Sequence, residues 1–312
     1  MVLLLQYMLL FASVLALVAL GGCFSEHSGI INLGLEGIMV VGALGGALVL
    51  KYMPVDVPSF ITVIVTLIGA IAFGMLYSAL LGVAAIHFNA DQTLIGTAMN
   101  MLATAVSAVI VKAINLSADS SDVSSVVYYI DNRPDLTVQI GGFEFNWFML
   151  VAVVAVVAAY VVLYKTRFGL RLMACGENPQ AANSVGIDVF KMRWAGVLIS
   201  GMLGGLGGIA YITAGSSWTF ENGVAGYGFL ALAVMIFGQW KPHRIALAAL
   251  LFGFIRSLGS VYSGIPLLAS MNIPSTVYNL LPYIISLIVL AFSSKNSMAP
   301  KAEGIPYDKS TR

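Results

Sequence analysis

The 312-residue chain is 59% hydrophobic and only 9% charged, with a mean hydropathy of +0.94. A soluble domain is about 45–50% apolar and about 25% charged, so this composition excludes a water-solvated globule and requires lipid as the main solvent. A formal net charge of +1 offers no basic field for nucleic acid.

Spans of about 20 apolar residues are expected at 2–20, 60–86, 94–114, 147–164, 194–214, 245–262 and 277–292. They do not alternate as barrel strands would, so the fold class is all-α, a polytopic integral membrane protein. The first run ends in Gly21-Gly22-Cys23 and superficially resembles a secretory leader, but no basic residues precede it, and it is read as a retained span. Two further apolar runs, 38–50 and 227–237, are short for a crossing. Cys23 and Cys175 stand far apart and have no metal-ligand spacing, so neither a disulfide nor a metal cluster is expected.

Basic residues set the orientation. The linker 165–193 carries Lys165, Arg167, Arg171, Lys191 and Arg193 against Glu177 and Asp188, which places it in the cytoplasm. The loop 115–146 carries Asp119, Asp122, Asp131, Asp135 and Glu144 against Arg133, which suits the outside. Lys241, His243 and Arg244, and a tail with Lys295, Lys301, Lys309 and Arg312, then fall inside. The chain reads as one transmembrane domain, 1–295, and a cytoplasmic tail, 296–312. If 38–50 crosses, nine spans put the N-terminus outside; if it is re-entrant, eight put it inside.

Within the linker, Asn178 suits a helix N-cap, Pro179 the first helical position and Gly186 the residue after the C-cap. That describes a short helix of about two turns outside the membrane, either an ordinary capped connector or a docking surface. Each short apolar run follows a glycine-rich stretch holding a glutamate, Glu36 in the first and Glu221 in the second. Interrupted segments at comparable places in two halves point to a transport pathway. Glu36 is a functional candidate or, alternatively, a cap for its own helix. Thr97, Asn100, Asn279 and Tyr283 lie in or near spans, where they bond neighbouring helices or line a pathway.

Gly201, Gly204, Gly205, Gly207 and Gly208 do not make a nucleotide fingerprint, because no strand precedes them and no lysine follows; their four-residue repeats suit close helix packing. The histidines, His27, His87 and His243, are scattered, and no catalytic constellation or Walker motif is present.

Four stretches carry a resemblance: 32–39 (Asn-Leu-Gly-Leu-Glu-Gly-Ile-Met), 91–102, 167–187 with its Gly-Glu-Asn-Pro-Gln-Ala-Ala core, and 226–242. In this order the chain resembles the membrane permeases of ABC importers of the nucleoside, simple-sugar and branched-chain amino acid group, most closely those for nucleosides. The resemblance implies a multi-pass subunit of the bacterial plasma membrane, surrounded by lipid. Its implied partners are a second homologous permease, an ABC ATPase and an extracellular substrate-binding lipoprotein. ATP and Mg would sit on the ATPase, and no cofactor on this chain. It further implies that Arg171, Gly176, Glu177, Asn178, Pro179, Ala182, Gly186 and Ile187 form the ATPase-coupling segment. Asn32, Glu36, Thr97, Asn100, Glu221 and Tyr227 are the candidates for the substrate pathway. The alternatives are the same machinery carrying a ribose-like sugar, or an ATP-independent secondary transporter.

Overall fold

Backbone amides in hydrocarbon have no water to bond, so apolar runs close their hydrogen bonds within helices. The computed structural model describes residues 2–128, 133–214, 219–264, 274–293 and 297–308; Asp131, Lys295, Lys309 and Arg312, which entered the charge pattern, lie outside them. In chain order the elements are α1 (Val2–His27), α2 (Leu35–Tyr52), α3 (Ser59–Gly82, continued by a π-helical turn, Val83–His87), α4 (Gln92–Ala118), β1 (Val127–Tyr128), α5 (Arg133–Leu136), β2 (Thr137–Ile140), β3 (Phe143–Asn146), α6 (Trp147–Lys165), α7 (Arg167–Glu177), α8 (Pro179–Ser184), α9 (Val189–Ala214), β4 (Thr219–Phe220), α10 (Tyr227–Phe237), α11 (Pro242–Val261) and α12 (Ser275–Ser293).

Among the described residues seven helices, α1, α2, α3, α4, α6, α9 and α11, are long and apolar enough to cross a membrane. Every expected span falls within a helix except for the last residue of 245–262, Tyr262, which opens a 3-10 turn, Tyr262–Gly264, and α12 holds a shorter apolar stretch, Thr276–Ile288. The expectation that 38–50 is too short needs correction. Leu35, Glu36 and Gly37 join the helix and bring α2 to 18 residues, because the Asn100 side chain satisfies the Gly37 amide where water would otherwise be needed. The run 227–237 does stay short, as the 11-residue α10.

The side-chain contacts at the helix ends decide the path of the N-terminal segment. Gln6, near the start of α1, bonds Glu144 of β3, whereas His27, at its end, meets the Trp240 carbonyl 3.0 Å away. The His27 backbone also lies against Gly176 of α7. At the far end of α2, Lys51 donates to Asn115 near the end of α4. α2 therefore traverses the bundle, and α1 starts at the end that carries the acidic loop. Of the two alternatives for 38–50, this geometry matches the one in which the segment runs through the bundle.

α1 and α9 form the centre. α9 presents Gly201 and Gly205 to Gly74, Ser78 and Ala70 of α3, and Gly204 and Gly208 to Ile38 and Met39 of α2. The four-residue glycine repeats are thus close-packing surfaces, Gly205 and Gly208 against neighbouring backbone and Gly201 and Gly204 against the Ser78 and Ile38 side chains. α3, α4 and α6 lie outside this core and expose Ile68, Leu76, Met101, Val109, Val153 and Val157, an apolar belt suited to lipid. At the acidic end, β2 and β3 pair through Gly141 and Gly142, whose φ values of +55° and +83° give the two left-handed positions of a tight hairpin turn. β1 pairs with β4, Val127 opposite Phe220.

A Cβ at Gly205 would overlap the Ala70 carbonyl. Gly205→Val is expected to destabilise the protein by at least ~1–3 kcal/mol, read as a lower melting temperature in detergent. Gly141→Asn, in an open left-handed turn position, is expected to stay within about 0.5 kcal/mol of the parent.

Candidate functional site

Two regions gather the chemistry-bearing residues, one at the basic end and one inside the bundle. At the basic end the chain leaves α6 through Thr166, whose hydroxyl caps α7 by accepting from the Gly169 amide at 3.2 Å. α7 is amphipathic: Leu172, Cys175 and Gly176 are buried, while Arg171 and Glu177 face outward. This helix was not anticipated, although Thr166 followed by alternating basic and apolar positions carried its signal. Asn178 then caps α8 through the Ala181 amide at 3.0 Å, Pro179 holds the first turn, and Gly186 has a φ of +83° just after it.

The eight linker residues divide between two faces. Arg171, Glu177, Asn178 and Gly186 are exposed; Gly176 and Ala182 are buried; Pro179 and Ile187 are half-buried. Ala182 packs with Cys175, Val189 and Tyr307, and burial pushes the Cys175 thiol up to about 11. Val185, which sequence reasoning passed over, stands 75% exposed at the tip of α8. An apolar side chain held on a capped turn outside the bundle is suited to a partner surface.

Part of the C-terminal tail belongs to this assembly. Ala302 donates to the Gly176 carbonyl at 2.8 Å, Gly304 to the Gly29 carbonyl at 3.1 Å and Arg193 to the Ile305 carbonyl at 2.9 Å. Glu303 meets Glu26 at the end of α1, and the Trp240 indole also donates to Glu26. Burial raises the Glu303 carboxyl above its ordinary value of 4.5.

Inside the bundle, the two glycine-rich breaks come together. The Glu36 carboxylate accepts from the amides of Gly226 at 2.7 Å and Gly228 at 2.6 Å. Glu36 therefore caps α10, not its own helix, and joins the first break to the second. Asn32 is fully buried, donates to Ser200 at 2.9 Å and accepts from the Gly34 amide. Asn100 bridges the Gly37 amide and the Leu33 carbonyl. Both asparagines thus hold the approach to α2. Thr97 is exposed on α4 and bonds back to the Leu94 carbonyl, apart from the other candidates.

Tyr227 is buried, its ring 4.6 Å from Tyr211 and 6.0 Å from Phe11. Glu221 lies in a cavity of about 390 Å³ with Tyr7, Phe11, Tyr211 and Arg256. Arg256 was missed, although a lone cation in the run 245–262 is a signal in itself. Its guanidinium lies 4.9 Å over the Phe11 ring and donates to Asn279 at 2.7 Å. Tyr283 donates to the Ala225 carbonyl, so Asn279 and Tyr283 both bond neighbouring segments. Among the described residues no group of three or more His, Cys, Asp or Glu could hold a metal ion.

A lipid-embedded helical bundle with a half-length helix inside it and a capped helix pair outside it is a transport-type membrane protein. The chain belongs to the family described as branched-chain amino acid transport system / permease component, whose model matches residues 4–291. It is 39% identical over 309 residues to the guanosine ABC transporter permease protein NupQ of Bacillus subtilis, covering 97% of this chain and 96% of that one. The nucleoside ABC transporter permease protein NupC of Lactococcus lactis is 38% identical over 310 residues, with 97% and 96% covered. From the same organism, the permease protein NupB is 23% identical over 317 residues, with 96% and 82% covered.

Two outcomes test this geometry. Glu36→Ala leaves the Gly226 and Gly228 amides without their acceptor, at about 1–3 kcal/mol for each buried group, whereas Glu36→Gln keeps one acceptor oxygen; melting in detergent should rank parent, Gln, then Ala. A raised Glu303 value means the docked tail binds a proton more readily than the free one. Docking is then strongest below the ordinary carboxylate value and weakens as pH rises through the raised one. Hydrogen exchange of amides 301–305 should accelerate with pH beyond its intrinsic base catalysis, and Glu303→Gln should remove the excess.

Proposed function

We propose that this chain is one of two permease subunits of an ATP-driven nucleoside importer, and that α8 with the end of α7 couples it to a separate ATPase. The observation that carries the reading is the exposed, doubly capped α8, rigidly fixed through Ala182 to α9 and through Gly176 to α1 and the tail. Nucleoside as substrate is supported by the likeness to NupQ, a guanosine permease, and NupC, a nucleoside permease. A second, related permease as partner is supported by NupC and NupB, two Lactococcus relatives that both match this chain. ATP and Mg belong to the ATPase, and an extracellular binding lipoprotein would deliver the solute to the acidic end.

In this reading Glu177, Asn178, Val185 and Gly186 meet the ATPase, while Arg171 flanks the contact. Closure of the ATPase pair displaces α8, and the rigid attachment of α8 to α9 carries that displacement into the bundle. Asn32, Glu36 and Asn100 hold the two broken segments together during the change, Glu221 stands at the cavity on the opposite side, and Tyr227 packs behind its Tyr211 and Phe11 walls.

Reconstitution of this chain with its second permease, ATPase and binding protein in proteoliposomes tests the assignment. Val185→Asp and Glu177→Lys, both at exposed positions, should each lower ATP-driven nucleoside uptake by about tenfold or more, equivalent to about 1.4 kcal/mol of coupling, while insertion and melting are unchanged. Full uptake in both variants would remove α8 from the coupling role.

A further inference from the structure

The cavity at the acidic end contains chemistry that neither helix packing nor the coupling segment uses. Arg256 sits about 21 Å along α11 from Pro242, inside a segment apolar enough to span the membrane. A cation in such a position is costly unless paired or put to use. Among the described residues Arg256 has no carboxylate in ion-pair contact; its partners are the neutral Asn279 amide, the Tyr227 hydroxyl and the face of Phe11. A guanidinium has five N–H donors, of which one goes to Asn279 and one to the Tyr227 hydroxyl. The rest of the charge borders the cavity with Tyr7, Tyr211, Glu221 and Ser260.

At about 390 Å³ the cavity lies within the range of small-molecule sites, about 300–1,000 Å³. Its wall carries one cation and one carboxylate, which suits a neutral polar solute better than an anion. Tyr7 and Tyr211 supply flat aromatic carbon, on which a planar base stacks. The carboxylate of Glu221 accepts hydrogen bonds, as sugar hydroxyls require. The guanidinium only donates, so the edge of a base turned towards it must offer acceptors side by side. A 6-oxopurine does so with O6 and N7, whereas adenine places an amino donor beside N7.

We propose that the cavity between Arg256, Tyr7, Tyr211 and Glu221 is a nucleoside subsite of the permease itself, selective for 6-oxopurine nucleosides over 6-aminopurine nucleosides. This rests on the nucleoside-importer reading and deepens it by assigning base selectivity to a residue of the permease. The segment 219–223 forms one wall and continues into the joint that Glu36 closes, so occupation of the cavity and the geometry of the α2–α10 joint share one stretch of chain.

The test compares the parent and Arg256→Gln in the complete importer, with guanosine and adenosine at saturating binding protein. Using the same binding protein throughout cancels its own selectivity. Arg256→Gln should lower maximal guanosine uptake about tenfold and adenosine uptake by less than about twofold. An equal fall for both nucleosides marks Arg256 as a structural residue and overturns the subsite, and so does the absence of any change; neither outcome touches the transport reading. If the parent assembly imports no nucleoside, the transport reading falls, and the subsite with it.

A second measurement covers the case in which Arg256→Gln fails to assemble. Cys23 and Cys175 are buried, so Ser260→Cys introduces an accessible thiol on the cavity wall for a membrane-impermeant maleimide. Guanosine should slow its labelling several-fold and adenosine should not; equal labelling rates with and without guanosine would overturn the proposal.

Discussion

A helix that begins inside a bilayer must find partners for its first amides from the protein, because lipid supplies none. α10 begins that way, and Glu36 supplies the partners. The carboxylate alone would be expensive at that depth, and the bare amides likewise; at 2.6–2.7 Å each offsets the other's cost, and the positive end of the helix dipole adds to the attraction. The joint also fixes geometry. Gly228 packs so closely on the Glu36 backbone that a Cβ there would collide with it, and Gly226, with a φ of +80°, turns the chain into the helix. Tyr283 holds the preceding carbonyl, that of Ala225. From this point α2, α10 and α12 have fixed relative positions, and so does the wall of the Arg256 cavity.

The second constraint is the smallness of α9. Lipid is as apolar as leucine, so helices in it gain little from burying apolar surface against one another and associate through close packing instead. The glycines on two faces of α9 let α2 and α3 approach to backbone contact, and Gly21 of α1 approaches the Ser200 carbonyl in the same way. Large side chains are pushed outward, which explains why the outer helices carry the exposed apolar belt while α1 and α9 are buried along most of their length.

Much of this was legible beforehand because hydropathy and helix chemistry are local. The spans, the caps at Asn178, Pro179 and Gly186, and the packing role of the glycines could each be read from a few adjacent residues. The joint at Glu36 could not. Its partner amides lie about 190 residues away in the chain, and backbone amides leave no signature in a sequence, so the choice between capping its own helix and serving another was open. The length of α2 was misjudged for the same reason, since Asn100 replaces the water that Gly37 would otherwise need. Arg256 was a different kind of miss: its charge was visible, but a hydropathy window averages a single cation into its apolar surroundings.

The coupling segment and the cavity are tied together by one helix. α9 spans about 39 Å and begins beside α8, where Val189 packs with Ala182 and the tail; it ends with Tyr211 and Ala214 on the cavity wall. Between those points α3 meets it at Gly201 and Gly205 and α2 at Gly208, while Trp194 and Ile209 of α9 seat against Gly82 and Gly46. Small sliding of packed helices is one established form of conformational change. Under the proposed coupling, a push on α8 would travel along α9 to Tyr211, which lines the cavity. Arg193, buried in α9 and bonded to the tail carbonyl of Ile305, ties the tail to the same helix.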